Sequence, residues 1–71
     1  MAKVYIVCYK CANEIEDIQI CLTYEAAIEE LSKYKKTRQV LEYDVINDLS
    51  TDTPVCEYYY ENGELIARRL K

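Results

Sequence analysis

The only glycine of the chain follows an asparagine, and Asn62-Gly63 lies between Val55 to Glu61 and Glu64 to Leu70, two runs rich in β-forming residues. A type I′ turn needs positive φ at both central positions, which asparagine and glycine tolerate better than other residues. The dipeptide therefore predicts a hairpin and its register. Tyr58 falls opposite Ala67 and Tyr60 opposite Leu65, while on the other face Glu57 meets Arg68, an ion pair that supports the alignment.

A second hairpin is expected at the start of the chain. Val4 to Tyr9 is β-branched or aromatic on both alternate faces, as in a strand covered on two sides. Ile15 to Leu22 alternates, with Ile18, Ile20 and Leu22 directed inward and Asp17, Gln19 and Cys21 outward. Placing Ile6 opposite Ile18 and Val4 opposite Ile20 puts both apolar sets on one face and leaves a five-residue loop. Between the hairpins, Thr23 is a helix N-cap, and Tyr24, Ala27, Ile28, Leu31 and Tyr34 follow helical spacing. Glu25 near the start and Lys33, Lys35 and Lys36 near the end suit the helix dipole, with Glu29 four residues before Lys33. The helix should lie over Ile18 and Ile20. Gln39 to Asn47 fits either a strand or a helix by spacing, and Val40, Tyr43, Val45 and Ile46 favour the strand. Asn47 to Pro54 reads as a polar loop.

The expected fold is a single α+β domain over residues 1–71: an antiparallel sheet of about five strands, in the order β-β-α-β-β-β, with one helix on one face. One helix cannot cover both faces of such a sheet. The second face, with Tyr5, Val7, Tyr9, Tyr59 and Ile66, is expected to be a partly covered aromatic patch that dimerises or binds a partner.

Composition narrows the chemistry. The chain has no histidine, one glycine and one proline among 71 residues. This removes the commonest general base, imidazole metal ligation and the glycine-rich phosphate loops. Paired carboxylates occur, Glu14 with Glu16 and Glu42 with Asp44, but on strands such pairs belong to a solvated face, and an enzyme is not expected. The start of the chain has only six apolar or aromatic residues in a row, Val4 to Tyr9, too few for a secretory signal core or a membrane span. A cytoplasmic protein with reduced thiols is expected. Cys8-Tyr9-Lys10-Cys11 with Cys21 and Cys56 could supply four thiolates to zinc, but a second C-x-x-C is missing. The hairpin register also puts Cys8 on the helix side and Cys21 on the other face, roughly 17 Å along the strand. No metal or cofactor is expected.

The formal net charge is −4, and the 13 acids fall in two blocks free of lysine and arginine, Cys11 to Ser32 and Gln39 to Ala67. This balance disfavours direct binding to nucleic acid or to an anionic membrane. Every aromatic residue is a tyrosine, eight in all, and tyrosine joins an apolar ring to a polar tip, as interfaces favour. Acids two apart on a strand are about 7 Å apart on one face. Glu42, Asp44, Asp48 and Asp52 could therefore imitate a line of phosphates, with Tyr5, Tyr9 and Tyr59 adding contact area. The order of elements, with its Thr23-Tyr24-Glu25-Ala26-Ala27 helix start, is similar in architecture to many small phage and mobile-element proteins, and no residue's role is carried over from them.

These features lead to the expectation of a small acidic non-enzymatic module that binds a larger protein with a basic surface. In its sharper form it is a nucleic-acid mimic inhibiting a defence or nucleic-acid-handling protein, as anti-CRISPR proteins do. The alternative is a homo-oligomer that holds a small molecule or nucleotide between tyrosine-rich sheet faces.

Overall fold

The computed structural model describes residues 2–10, 19–45 and 54–70. Their elements are β1 (Ala2–Tyr9), β2 (Gln19–Cys21), α1 (Tyr24–Lys33), β3 (Arg38–Val45), β4 (Cys56–Glu61) and β5 (Glu64–Arg69). The strands form one antiparallel sheet in the order β2-β1-β3-β4-β5, with α1 on one face. This is the expected α+β fold, and Gln39 to Val45 is strand.

The β4–β5 hairpin has the register set by its turn, with Glu57 opposite Arg68, Tyr58 opposite Ala67 and Tyr60 opposite Leu65. Asn62 and Gly63 have φ of 52° and 82°, as a type I′ turn requires. Helix α1 starts where Thr23, in extended conformation, accepts a hydrogen bond on Oγ1 from the Ala26 amide at 3.2 Å. At its other end the Tyr34 amide donates to the Leu31 carbonyl at 3.0 Å. The Thr37 and Arg38 amides both return to the Tyr34 carbonyl, turning the chain into β3. Lys33 pairs at 3.1 Å with Glu30, three residues before it, and not with Glu29.

Two expectations about the first hairpin are corrected. Ile6 lies opposite Ile20 and Tyr5 opposite Cys21, a register two residues away from the expected one. Ile15 to Ile18 and the predicted five-residue loop lie outside the described residues. The face assignment is also inverted, because α1 covers the side of the sheet that carries Tyr5 and Val7. Tyr5, Val7, Cys21 and Val40 form the core with Ala27 and Leu31 of the helix, and Ile28, Tyr58 and Tyr60 pack against it.

The physical reason lies in β1, which is apolar on both faces and so leaves its own orientation undecided. The alternation of Ile18, Ile20 and Leu22 was the deciding signal, yet β2 is a three-residue edge strand. Ile20 and Leu22 are 62% and 77% exposed. The rings of Tyr5, Tyr24 and Tyr58 fill the space beneath the helix instead. They meet edge to face, with centroids 6.2 Å apart for Tyr5 with Tyr24 and 5.2 Å for Tyr24 with Tyr58. Ala27, fully buried, lets the helix approach this layer closely.

Candidate interaction surface

Strand alternation sorts the polar residues as firmly as the apolar ones. Glu42 follows Val40 onto the helix side of β3 and is 6% exposed. Its carboxylate accepts a hydrogen bond from the Lys3 ammonium at 2.6 Å and another from the Tyr58 hydroxyl at 2.7 Å. Burial acts to raise its pKa, but the bonds from Lys3 and Tyr58 and the positive charge of Lys3 outweigh it, so the pKa lies below the usual carboxylate value. The reciprocal effect appears on Tyr58, whose phenol is pushed up by burial and then by its bond to Glu42. Lys3 also reaches Asp44, at 3.5 Å.

Of the described residues expected to bind a partner, Glu42, Asp44, Tyr5 and Tyr9 lie on the helix side of the sheet and Tyr59 on the other. Glu42 is an internal acceptor, and Asp44, half-buried, shares the ammonium of Lys3. Asp48 and Asp52 lie outside the described residues. Tyr5 is buried beneath α1, which removes it from any docking surface. Tyr9 stays on the helix side at the sheet end, with the Arg38 guanidinium 4.7 Å from its ring centroid and 4.3 Å from that of Tyr34. Tyr59 alone of the three points to the opposite face, where the Lys10 ammonium lies 5.5 Å from its centroid.

That opposite face carries Ile20, Ile6 and Leu41 in one row across β2, β1 and β3, and Val4 with Tyr43 in the next. Toward the other end, Cys8 lies beside Gln39, and Tyr59 beside Ile66. No described element covers these side chains. Among the described residues the same face carries three acids, of which the sequence assigned only Glu57, to its pair with Arg68. Glu57 pairs with Arg68 at 3.4 Å. Glu61 and Glu64 stand directly opposite each other at the hairpin end, a like-charge pairing that costs stability. Their places follow from the Asn62-Gly63 register, so the signal that would have found them was already in the sequence.

Neither Cys8 nor Cys21 is an activated nucleophile. Burial pushes the Cys8 pKa up, only partly offset by a contact from the Gln39 amide at 3.8 Å. Burial and then Glu30 push Cys21 up as well. Both stay protonated near neutrality, in contrast to the lowered pKa of reactive cysteines. Cys8 and Cys21 lie on opposite sheet faces, with the sides reversed from the expected assignment, and so cannot share a metal ion. Cys11 lies outside the described residues. Among the described residues no three candidate ligands come together, and no helix is long and apolar enough to cross a membrane.

Comparison of the chain with protein-family models, curated proteins and solved structures finds no match.

Proposed function

We propose that this chain is a non-enzymatic binding module that docks its helix-free sheet face against a larger protein. The observation that carries the reading is the contrast between the two faces. One is covered by α1 over β1, β2 and β3, while the other presents Ile20, Ile6, Leu41, Val4 and Tyr43 with no described element over them. Such a face is the kind of apolar patch that marks an interaction site. Glu61 and Glu64 line the hairpin side of the patch, and they suit a partner whose apolar contact area is bordered by basic residues. Nucleic-acid mimicry by the Glu42-to-Asp52 row receives no support from this arrangement, because Glu42 is committed to Lys3 and Tyr58. Inhibition of a basic, nucleic-acid-handling protein remains compatible with the relocated acids.

The test uses the intact protein with Leu41→Asp and with the double variant Glu61→Lys/Glu64→Lys, each checked for folding by thermal melting. The wild type should retain a partner stoichiometrically from nuclease-treated lysate, and binding should then be measured with that partner purified. Both variants should lose at least about tenfold in affinity, the scale of removing a central apolar anchor or reversing rim charge. Unchanged affinity in folded Leu41→Asp would place the interface elsewhere. A concentration-dependent dimer in light scattering, abolished by the same substitution, would instead identify a second copy as the occupant.

A further inference from the structure

The end of the sheet where β1 leaves and β3 enters gathers bases from distant parts of the chain. Lys10 follows β1, while Lys35 and Lys36 belong to the turn after α1. Together with Tyr60, Asn62 and Gly63 they line a pocket of about 360 Å³. Two of the three ammonium groups are positioned by Tyr60. Lys10 donates to its backbone carbonyl at 2.9 Å, and Lys35 lies 5.1 Å from its ring centroid.

Among the described residues no carboxylate lines this pocket, although acids outnumber bases 13 to 9 in the chain. Three bases elsewhere are ion-paired, Lys3 with Glu42, Lys33 with Glu30 and Arg68 with Glu57. Among the described residues none of the three pocket lysines meets a carboxylate. Compensation of the helix dipole accounts for Lys35 and Lys36, but not for Lys10, which arrives from another strand. Three like charges around one concavity repel one another, and a bound anion relieves that repulsion. A second pocket, of about 420 Å³, shares Lys10 and Tyr60 with the first and adds the Tyr59 ring, the Gln39 carboxamide, Arg68 and the carboxylates of Glu57 and Glu61, which can accept from the amino group of a base. It offers an aromatic face and hydrogen-bonding groups next to the positive charge.

We infer that this end of the sheet is a nucleotide site, with Lys10, Lys35 and Lys36 holding a phosphate group and the adjoining Tyr59–Gln39 pocket taking the base. The phosphate belongs either to a free nucleotide or to a single strand, in which stacking on aromatic rings accompanies backbone contacts. The net charge of −4 opposes such a ligand at long range. The site works by local separation of charge, because exposed charges more than about 10 Å away are screened at moderate salt.

The experiment is a titration of isotope-labelled protein followed by amide NMR shifts at moderate salt and over a salt series, with adenosine, inorganic phosphate, AMP and an oligothymidylate as separate probes. AMP should produce saturable shifts at Lys10, Lys35, Lys36, Tyr60 and Gly63, and adenosine should bind at least about tenfold more weakly, as expected for loss of charge-assisted bonds. The double variant Lys35→Gln/Lys36→Gln, with its melting temperature checked, should lose a similar factor for AMP. An oligothymidylate tighter than AMP, with a steeper salt dependence, would identify a single strand as the source of the phosphate. Equal or weaker binding would identify the free nucleotide. Absence of saturable shifts, equal binding of AMP by the double variant, or inorganic phosphate binding as tightly as AMP would each overturn the assignment.

Discussion

Replacing Glu42 with glutamine keeps the volume of a buried side chain and removes its charge, which isolates what the carboxylate contributes. The Tyr58 hydroxyl donates to it at 2.7 Å and the Lys3 ammonium at 2.6 Å. A hydrogen bond to a charged group contributes about 1.5–3 kcal/mol, against about 1 kcal/mol for a neutral one. In Glu42→Gln the amide oxygen can still accept from Tyr58, but the amide NH2 then faces Lys3, donor against donor. Lys3 is solvent-exposed, so its pairing is screened, and most of the effect comes from the Tyr58 bond and the misplaced NH2. A loss of about 2 kcal/mol is expected. For a domain of this size that lowers the melting temperature by roughly 8–16 °C. Crossing Glu42→Gln with Tyr58→Phe should give a coupling energy of about 1 kcal/mol.

The pH dependence has a definite sign. The folded pKa of Glu42 is depressed, so its stabilisation is fully present above the unfolded value of about 4.3 and is lost as pH falls through the lower folded value. The gap in melting temperature between wild type and Glu42→Gln should therefore be full at neutral pH and narrow in the acid range. Thermal melts by circular dichroism across this range test the reasoning. A variant melting within about 2 °C of wild type at neutral pH, or a gap unchanged in acid, would refute it.

Thr23→Ala should destabilise the protein by about 1 kcal/mol, because the Ala26 amide loses its capping oxygen; urea denaturation would show a lower midpoint at unchanged slope. Gly63→Ala should cost about 1–2 kcal/mol through its φ of 82° alone, since an added Cβ would meet nothing within 4 Å. The same denaturation experiment should show that loss without a change in slope.

What could be read from the sequence depended on whether a local feature allowed one arrangement or two. Asn62-Gly63 allowed one, and the whole β4–β5 register followed from it. Thr23 and the spacing of Ala27 and Leu31 likewise permitted only a helix with that buried side. Strand β1 permitted two arrangements, because Val4, Ile6 and Cys8 are as suited to a core as Tyr5, Val7 and Tyr9. The decision passes to its neighbours. Val40 and Glu42 share a side of β3, so burying Val40 under α1 buries Glu42 with it. A lone glutamate on that side looks like a solvated residue until Lys3 and Tyr58 arrive from β1 and β4 to satisfy it. The basic pocket was hidden for a similar reason: Lys10 and Lys35 are 25 positions apart, and only the pairing of β1 with β3 brings them together.

The same β1–β3 pairing has a consequence for how the chain acquires its structure. Its nearest partners, Tyr9 and Arg38, are 29 residues apart in sequence, and the ladder runs on to Ala2 with Val45. The β4–β5 hairpin closes over two residues, and hairpins of that kind form in about 1–10 μs. The central ladder must first close a loop that includes β2 and α1, and non-local closure of this kind slows folding. The hairpin can thus close early, although an isolated two-stranded hairpin is marginal in water, and β1 must wait for a partner distant in sequence. Until β3 arrives, Tyr5 and Val7 have β2 and the face of α1 to pack against, and the long β1–β3 ladder is unmade. The interval before β1 is secured is the period in which the chain is most exposed to misassociation.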